Sequence, residues 1–214
     1  DCSSFWLLGF YLIRFSVVSV SEGLTFLSVS HSSFASKVSL TGRGYRVFMD
    51  PTTTIKQAHS WLRWMTDRSF GACRALSHDE LHREFPIGLG SVHATLLHLY
   101  GAERIWIGVV TGSAAALTMP TAAECPTLDA LESSWSATRR EWDAFLDALT
   151  PAECARVVER VRDGRTYRQT VADACMQVPT HALYHNAQLS FMFRTMGHAL
   201  PDSSWILWAR EQLG

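Results

Sequence analysis

Two histidines, His181 and His185, are four positions apart in a segment with helical patterning. Side chains at this spacing lie on one face of a helix, one turn apart, so two imidazoles could bind one metal ion. His98, in the middle of a second segment with helical patterning, is a third candidate, because metal sites in helical bundles are built from side chains on facing helices. Two surface histidines would explain the spacing of the pair equally well, so the pattern alone leaves both explanations open.

The other polar residues of these segments are predicted to play different roles. His93 precedes His98 by five residues, about 140° round a helix, and should not share its site. Glu103 is five residues after His98 and therefore points elsewhere on the helix; a structural role is favoured over a role as a supporting hydrogen-bond acceptor. Gln188 lies on the same face as His185 and could contact a metal-bound water or a substrate, or serve as a supporting hydrogen-bond partner. No ligand role is predicted for the remaining histidines: His31, His59, His78, His82 and His198.

Four long segments with helical apolar spacing must position these side chains, and they cover residues 55–76, 91–110, 128–149 and 170–196. Ser77 and Glu80 predict a capping box for a short helical turn, and a final short helix is predicted near residues 205–212. Asp163-Gly164 lies between partly alternating β-branched residues and predicts a small hairpin. The predicted fold is all-α: a four-helix bundle with one small β-hairpin before the last long helix.

The first 48 residues differ in composition from the rest, being rich in Ser, Phe, Val and Leu. Helical patterning and capping begin only after Met49. We therefore expect residues 1–48 to be a leader outside the functional domain, translated upstream of an initiator at Met49 and disordered or loosely packed. A secretory or anchoring leader is the alternative, since residues 5–20 are largely apolar, although Arg14 interrupts them. The functional domain is predicted to cover residues 49–214.

Composition excludes several classes of protein. The chain of 214 residues is 47% hydrophobic and 18% charged, which favours a packed core over disorder. The formal net charge is −1 and no basic run stands out, which argues against nucleic-acid binding. No membrane partner is expected. The five cysteines are scattered and odd in number, so a disulfide framework is not expected and a reducing cytoplasm fits best.

Two segments carry a resemblance to a known family. Residues 98–106, HLYGAERIW, resemble the second-helix signature of the DinB-like superfamily, a histidine followed by an acid and an aromatic residue. Residues 181–189, HALYHNAQL, resemble its last-helix signature, HxxxH followed by Gln. The hairpin at Asp163-Gly164 also lies where the family has one, and the resemblance covers roughly residues 52–197. Asn186-Ala187 depart from the family's common Arg-Gly.

The resemblance implies that His98, His181 and His185 bind a divalent metal ion. Zinc is the first choice, and nickel, iron and copper also suit three imidazoles. It further implies a metal-dependent S-transferase that joins low-molecular-weight thiols, such as bacillithiol or mycothiol, to electrophiles, without a certain catalytic side chain. The alternative is a non-catalytic metal- or ligand-binding stress-response protein, and a homodimer is a further expectation. Metal-assisted hydrolysis ranks lowest, because the sequence has no HExxH-like arrangement.

Overall fold

A computed structural model describes residues 50–114 and 117–214, together with the backbone of four strands between residues 15 and 48. The chain divides into two compact units, Asp1–Asp50 and Pro51–Gly214. Cys2 and residues 5–14 of the proposed leader lie outside the described residues.

The first unit contains four strands: β1 (Phe15–Ser21), β2 (Leu24–His31), β3 (Phe34–Thr41) and β4 (Gly44–Phe48). Each strand pairs antiparallel with the next, in the order β1-β2-β3-β4. Their sequences are rich in Val, Phe, Thr and Ser, types that suit extended backbone better than a helix. This regular pairing was not predicted for residues 1–48. That the segment is dispensable stays a prediction.

The second unit is a four-helix bundle, as predicted. Its long helices are α1 (Pro51–Cys73), α3 (Val92–Thr111), α4 (Leu128–Asp147) and α6 (Val171–Thr195). Three short helices complete it: α2 (His78–His82), α5 (Pro151–Ala155) and α7 (Trp205–Glu211). The α1 helix begins at Pro51, four residues before the predicted start, because proline is favoured in the first turn.

Local capping fixes where the helices that matter for the site begin. Ser91 Oγ accepts a hydrogen bond from the Ala94 amide at the start of α3. Thr170 and Asp173 form a reciprocal capping box at the start of α6. The short helix α2 begins with the predicted capping box of Ser77 and Glu80.

The predicted hairpin is formed by β5 (Val157–Arg162) and β6 (Arg165–Thr170). Asp163 and Gly164 connect the strands with φ angles of 52° and 73°, the positive values that a tight two-residue hairpin turn requires. Thr170 ends β6 and also caps α6. The hairpin is therefore continuous with the helix that carries His181 and His185.

The core lies between the four long helices, with α6 packed on both α1 and α3, and α3 packed on α4. A bidentate ion pair of Arg63 with Asp143 links α1 to α4. None of the helices in the described part of the chain combines the length and apolarity that a membrane span needs. The largest side chains that are fully buried come from all four long helices: Ile55, Met65, Leu96, Ile107, Leu131, Trp135, Trp142, Leu189, Met192 and Phe193.

Candidate metal centre

The helix that supplies two of the three histidines contains a proline, Pro179. Proline has no amide hydrogen, so the carbonyl four residues earlier, that of Cys175, receives no hydrogen bond from it. The His59 side chain on α1 takes that place: its Nε2–H donates to the Cys175 oxygen at 2.9 Å. Burial lowers the pKa of His59 to about 4, which keeps the imidazole neutral. His59 is thus a structural residue that completes the hydrogen bonding of α6 six residues before His181.

His98, His181 and His185 meet between α3 and α6. The Nε2 atom of His181 lies 3.1 Å from that of His98 and 3.0 Å from that of His185. One ligand atom from each ring lies within 4.8 Å of the others. Within the described residues, this is the group of three histidine, cysteine or acidic side chains that could hold a metal ion.

The spacing of these nitrogens fits a divalent metal ion. With metal–nitrogen bonds of ~2.0–2.1 Å, ligand nitrogens lie about 2.9 Å apart at a 90° angle and about 3.4 Å apart at a tetrahedral angle. The two measured separations fall between these limits. A proton on the His181 Nε2 could serve only one of its two neighbours, whereas a cation at the centre satisfies all three lone pairs. The donor set therefore fits the metal that the sequence predicted.

His185 is the buried member of the cluster, and a hydrogen bond on the opposite side of its ring holds it in place. Its Nδ1–H donates to Gln188 Oε1 at 2.9 Å, which leaves the Nε2 lone pair directed at the other histidines. Such outer hydrogen bonds fix the tautomer and orientation of a ligand imidazole. The contact matches the supporting role considered for Gln188.

The loop before α3 closes over this glutamine. Gly88 has a φ of +57°, and an added Cβ would lie 2.1 Å from Gln188 Oε1. Only glycine permits this approach of the loop backbone to the amide. The sequence identified the Phe85-to-Gly88 stretch as a helix break and did not reveal its contact with the site.

Electrostatics favour the neutral form of His98 and His181 in the absence of a cation. Burial and the adjacent His185 lower the pKa of His98. Burial, His185 and His98 lower the pKa of His181 to about 4. Neutral imidazole is the form that binds a metal, so protons compete weakly with a cation here at neutral pH.

A cavity of about 420 Å³ lies beside His98 and His181. Its other polar lining residues are Arg160, Arg162 and Gln177, and its apolar wall includes Trp106. Cavities of this size hold small molecules. Sequence reasoning missed the two arginines, although their alternate positions in β5 place both on one face of the hairpin.

The structure assigns other partners to most of the remaining candidates. His93 Nε2–H donates to the Cys125 carbonyl at 3.0 Å, away from the metal candidates, as the helical phase predicted. His198 pairs with Glu80 at 2.8 Å. Glu103 is buried, and burial raises its pKa to about 7. Asn186, where the family commonly has arginine, accepts a hydrogen bond from Ser69 of α1 at 2.8 Å.

The fold and the site together define a class, the four-helix-bundle proteins with a three-histidine cluster on two facing helices. The sequence pattern of the DinB family matches residues 49–211, so the chain belongs to the DinB family. It is also similar to the crystal structure of a DinB-like protein from Bacillus cereus, with a TM-score of 0.53 and 14% sequence identity. That similarity covers 69% of this chain and 94% of the other, and at this identity it establishes the fold alone. The search of curated proteins found no match.

Proposed function

We propose that this protein is a metal-dependent thiol S-transferase in which His98, His181 and His185 hold a divalent metal ion. Zinc is our first choice, and nickel, iron and copper remain alternatives for three imidazole ligands. The observation that carries the proposal is the convergence of three imidazole nitrogens at the edge of a cavity large enough for a small substrate. Three neutral ligands without a carboxylate are the format of a catalytic rather than a closed structural site.

A divalent ion bound to these residues would hold a small thiol as its thiolate. In the transfer, the thiol proton passes to solvent, a carbon–sulfur bond forms, and the leaving group departs with its electron pair. Gln188 would keep the His185 ring oriented throughout, because its oxygen holds the Nδ1 proton. The cavity would bring the electrophile to the sulfur and limit the access of water.

The thiols of Cys73 and Cys175 are unsuited to act as the nucleophile. Burial raises the pKa of Cys73 and of Cys175 to about 12, so both stay protonated at neutral pH. The described residues that line the cavity include no cysteine. These two observations support a reacting sulfur that belongs to the substrate.

Hydrolysis is less well supported by the same cavity. A metal-assisted hydrolase needs a carboxylate or another base beside the attacking water. The cavity-lining residues within the described chain include no aspartate or glutamate. Thiol transfer needs no such base, because the thiolate itself is the nucleophile.

The test is conjugation of low-molecular-weight thiols to monochlorobimane, in which a carbon–sulfur bond replaces the carbon–chlorine bond and chloride leaves. The zinc-loaded protein should accelerate the reaction, and the chelated protein and the His185→Ala variant should not. Cys175→Ala is the matched control on the same helix and should retain the rate. A rate that disappears with one cysteine would instead indicate a protein nucleophile.

The alternative, a metal- or ligand-binding stress-response protein without turnover, makes the opposite prediction. It requires stoichiometric metal and no acceleration with any thiol of a broad panel. Family membership does not decide between the two, because one fold supports many functions.

Three further parts of the proposal concern the setting of the protein. We place it in the cytoplasm, because the four described cysteines are buried and free of disulfides, as a reducing compartment would leave them. We propose small-molecule partners, and neither nucleic acid nor membrane. A homodimer is the proposed assembly, which sedimentation of the full chain would test.

A further inference from the structure

We infer that the substrate carries an anionic group, a carboxylate or a tetrahedral oxyanion, that Arg160 and Arg162 bind in the cavity beside His98 and His181. This inference rests on the proposed function and adds the chemical class of the substrate. Two arginines line the cavity and its described lining residues include no acid, although Arg162 also pairs with Asp163 in the adjoining turn at 3.4 Å.

Arg160 is an arginine without a carboxylate partner among the described residues. Its guanidinium lies over the Trp106 ring, 5.4 Å from the ring centroid, in a cation–π contact. Burial and the neighbouring Arg162 lower the pKa of Arg160 and outweigh the opposing effect of Asp163, so its surroundings disfavour the positive charge. An anion in the cavity would offset the cost of burying the guanidinium and its repulsion by Arg162. The planar guanidinium of arginine suits a carboxylate or phosphate-like group.

The fold fixes the two arginines relative to the metal candidates. Arg156, at the entrance to β5, donates from Nη2 to the Val110 carbonyl at the end of α3. At the same open end of the hairpin, the Val171 amide donates to the Arg156 carbonyl at 2.9 Å. The base of the hairpin is thus joined to the helix of His98 and to the helix of His181, and the contact of Arg160 with Trp106 places its guanidinium against the helix of His98.

The remaining wall of the cavity suits the carbon part of a small substrate. Leu117 and Met119 come from the segment after α3, which returns onto that helix at Gly101. An added Cβ at Gly101 would lie 2.6 Å from both the Met119 methyl carbon and Pro120, so the close return requires glycine there. Together with Trp106, these side chains give the cavity an apolar surface in addition to its cationic and metal-binding residues.

The three kinds of lining residue therefore indicate the parts of the ligand. A sulfur at the histidine cluster, a short carbon chain along the apolar wall and an anionic end at the arginines would satisfy all three parts. A volume of about 420 Å³ limits such a ligand to a small molecule.

The test compares thiols of similar length in the cobalt(II)-loaded full chain, whose visible absorption changes when sulfur binds the metal. The probes are 3-mercaptopropionate, 2-mercaptoethanesulfonate and the neutral 2-mercaptoethanol. At least one anionic thiol should bind roughly 10- to 100-fold more tightly than the neutral one, since hydrogen bonds to charged groups are strong. The ratio between the two anionic thiols distinguishes a planar carboxylate from a tetrahedral oxyanion.

The variants make the assignment specific to the arginines of the cavity. Arg160→Gln should reduce the anionic preference to less than about threefold, and Arg160→Lys, which keeps charge but loses the fork, should give an intermediate value. Arg168→Gln is the matched control: it removes the same charge from the other face of the hairpin, where Arg168 pairs with Glu159. It should retain the full preference. Thermal unfolding of each variant shows whether the protein stays folded. Arg162→Gln tests the second arginine of the cavity in the same way.

Two outcomes would overturn the inference while leaving the proposed function intact. One is equal affinity for anionic and neutral thiols in the unsubstituted protein, and the other is a preference that Arg160→Gln and Arg162→Gln leave unchanged. A spectrum that no thiol alters would overturn the proposed function itself, and the inference would fall with it.

Discussion

Substitution of Gly88 by alanine tests how the loop before α3 supports the metal centre. The new Cβ would lie 2.1 Å from Gln188 Oε1, whereas ordinary contacts begin near 3.4 Å. The amide must therefore move by more than 1 Å. A shift of that size breaks the 2.9 Å hydrogen bond from His185 Nδ1.

The loss of such a supporting bond typically reduces metal affinity about 10- to 100-fold, or about 1.4–2.7 kcal/mol. The left-handed backbone of residue 88 adds a stability cost of about 1–2 kcal/mol for any side chain, independent of the metal. We therefore expect Gly88→Ala to reduce both zinc affinity and the free energy of unfolding.

Gly90→Ala provides the matched control in the same loop. Gly90 also has a positive φ, +85°, but an added Cβ there would meet nothing within 4 Å. This variant should lose comparable stability and retain zinc affinity. Zinc affinity is measured by competition with a chromogenic chelator, and stability by denaturant unfolding of the metal-free protein.

A double-mutant cycle completes the test. Gln188→Ala should reproduce the affinity loss, and Gly88→Ala added to it should have almost no further effect on zinc binding, because the clash partner is gone. If Gly88→Ala and Gly90→Ala reduced zinc affinity equally, the contact between Gly88 and Gln188 would not support the metal centre and our reasoning would be refuted.

Three further predictions address the bundle around the site. His59→Ala should lower the free energy of unfolding by about 1–3 kcal/mol, because the buried Cys175 carbonyl loses its hydrogen-bond donor. Its zinc content should not change, and a loss of zinc would contradict a purely structural role for His59. Burial raises the pKa of Glu103 from 4.5 to about 7, so the folded protein holds a proton that the unfolded chain releases, and stability falls as pH rises between these values. Glu103→Gln should remove this pH dependence. Measured by urea unfolding, the free energy of unfolding of the variant relative to the unsubstituted protein should rise by about 3 kcal/mol from pH 4 to pH 8. If this free-energy difference were the same at both pH values, the assigned pKa would be refuted. A chain that begins at Met49 should unfold cooperatively and bind zinc, since the described core lies within residues 51–214. If this shorter chain aggregated while the full chain did not, residues 1–48 would belong to the fold.

The features of the fold that depend on local sequence were predictable. The capping box of Ser77 and Glu80 and the turn at Asp163-Gly164 are set by residues a few positions apart, and the structure has both. The pairing of His181 with His185 follows from helical spacing in the same way. Placing His98 beside them required the family resemblance, because no local pattern states which helices face each other.

The features that were not predicted depend on contacts between distant segments. Gly88 and Gln188 are 100 positions apart, and the break in helical patterning at Gly88 gave no indication of its partner. His59 lacked a partner pattern because its acceptor is a backbone carbonyl, exposed by a proline elsewhere in the bundle. Arg160 looked like an ordinary strand residue, since its importance arises from its contact with Trp106 on another element and from its place in the cavity.

His98, His181 and His185 are proposed to form one metal site. The most direct measurement is zinc bound at equilibrium by the metal-stripped full chain and by single alanine variants. His93→Ala serves as the control from the same helix as His98, because His93 is committed to the Cys125 carbonyl.

We predict one zinc ion per chain, a sharp loss of zinc in each of the three ligand variants, and nearly full occupancy in His93→Ala. Two imidazoles hold a divalent ion much less tightly than three, so no single ligand should be dispensable. Full zinc occupancy in His98→Ala, or equal losses from His93→Ala and His98→Ala, would contradict the account.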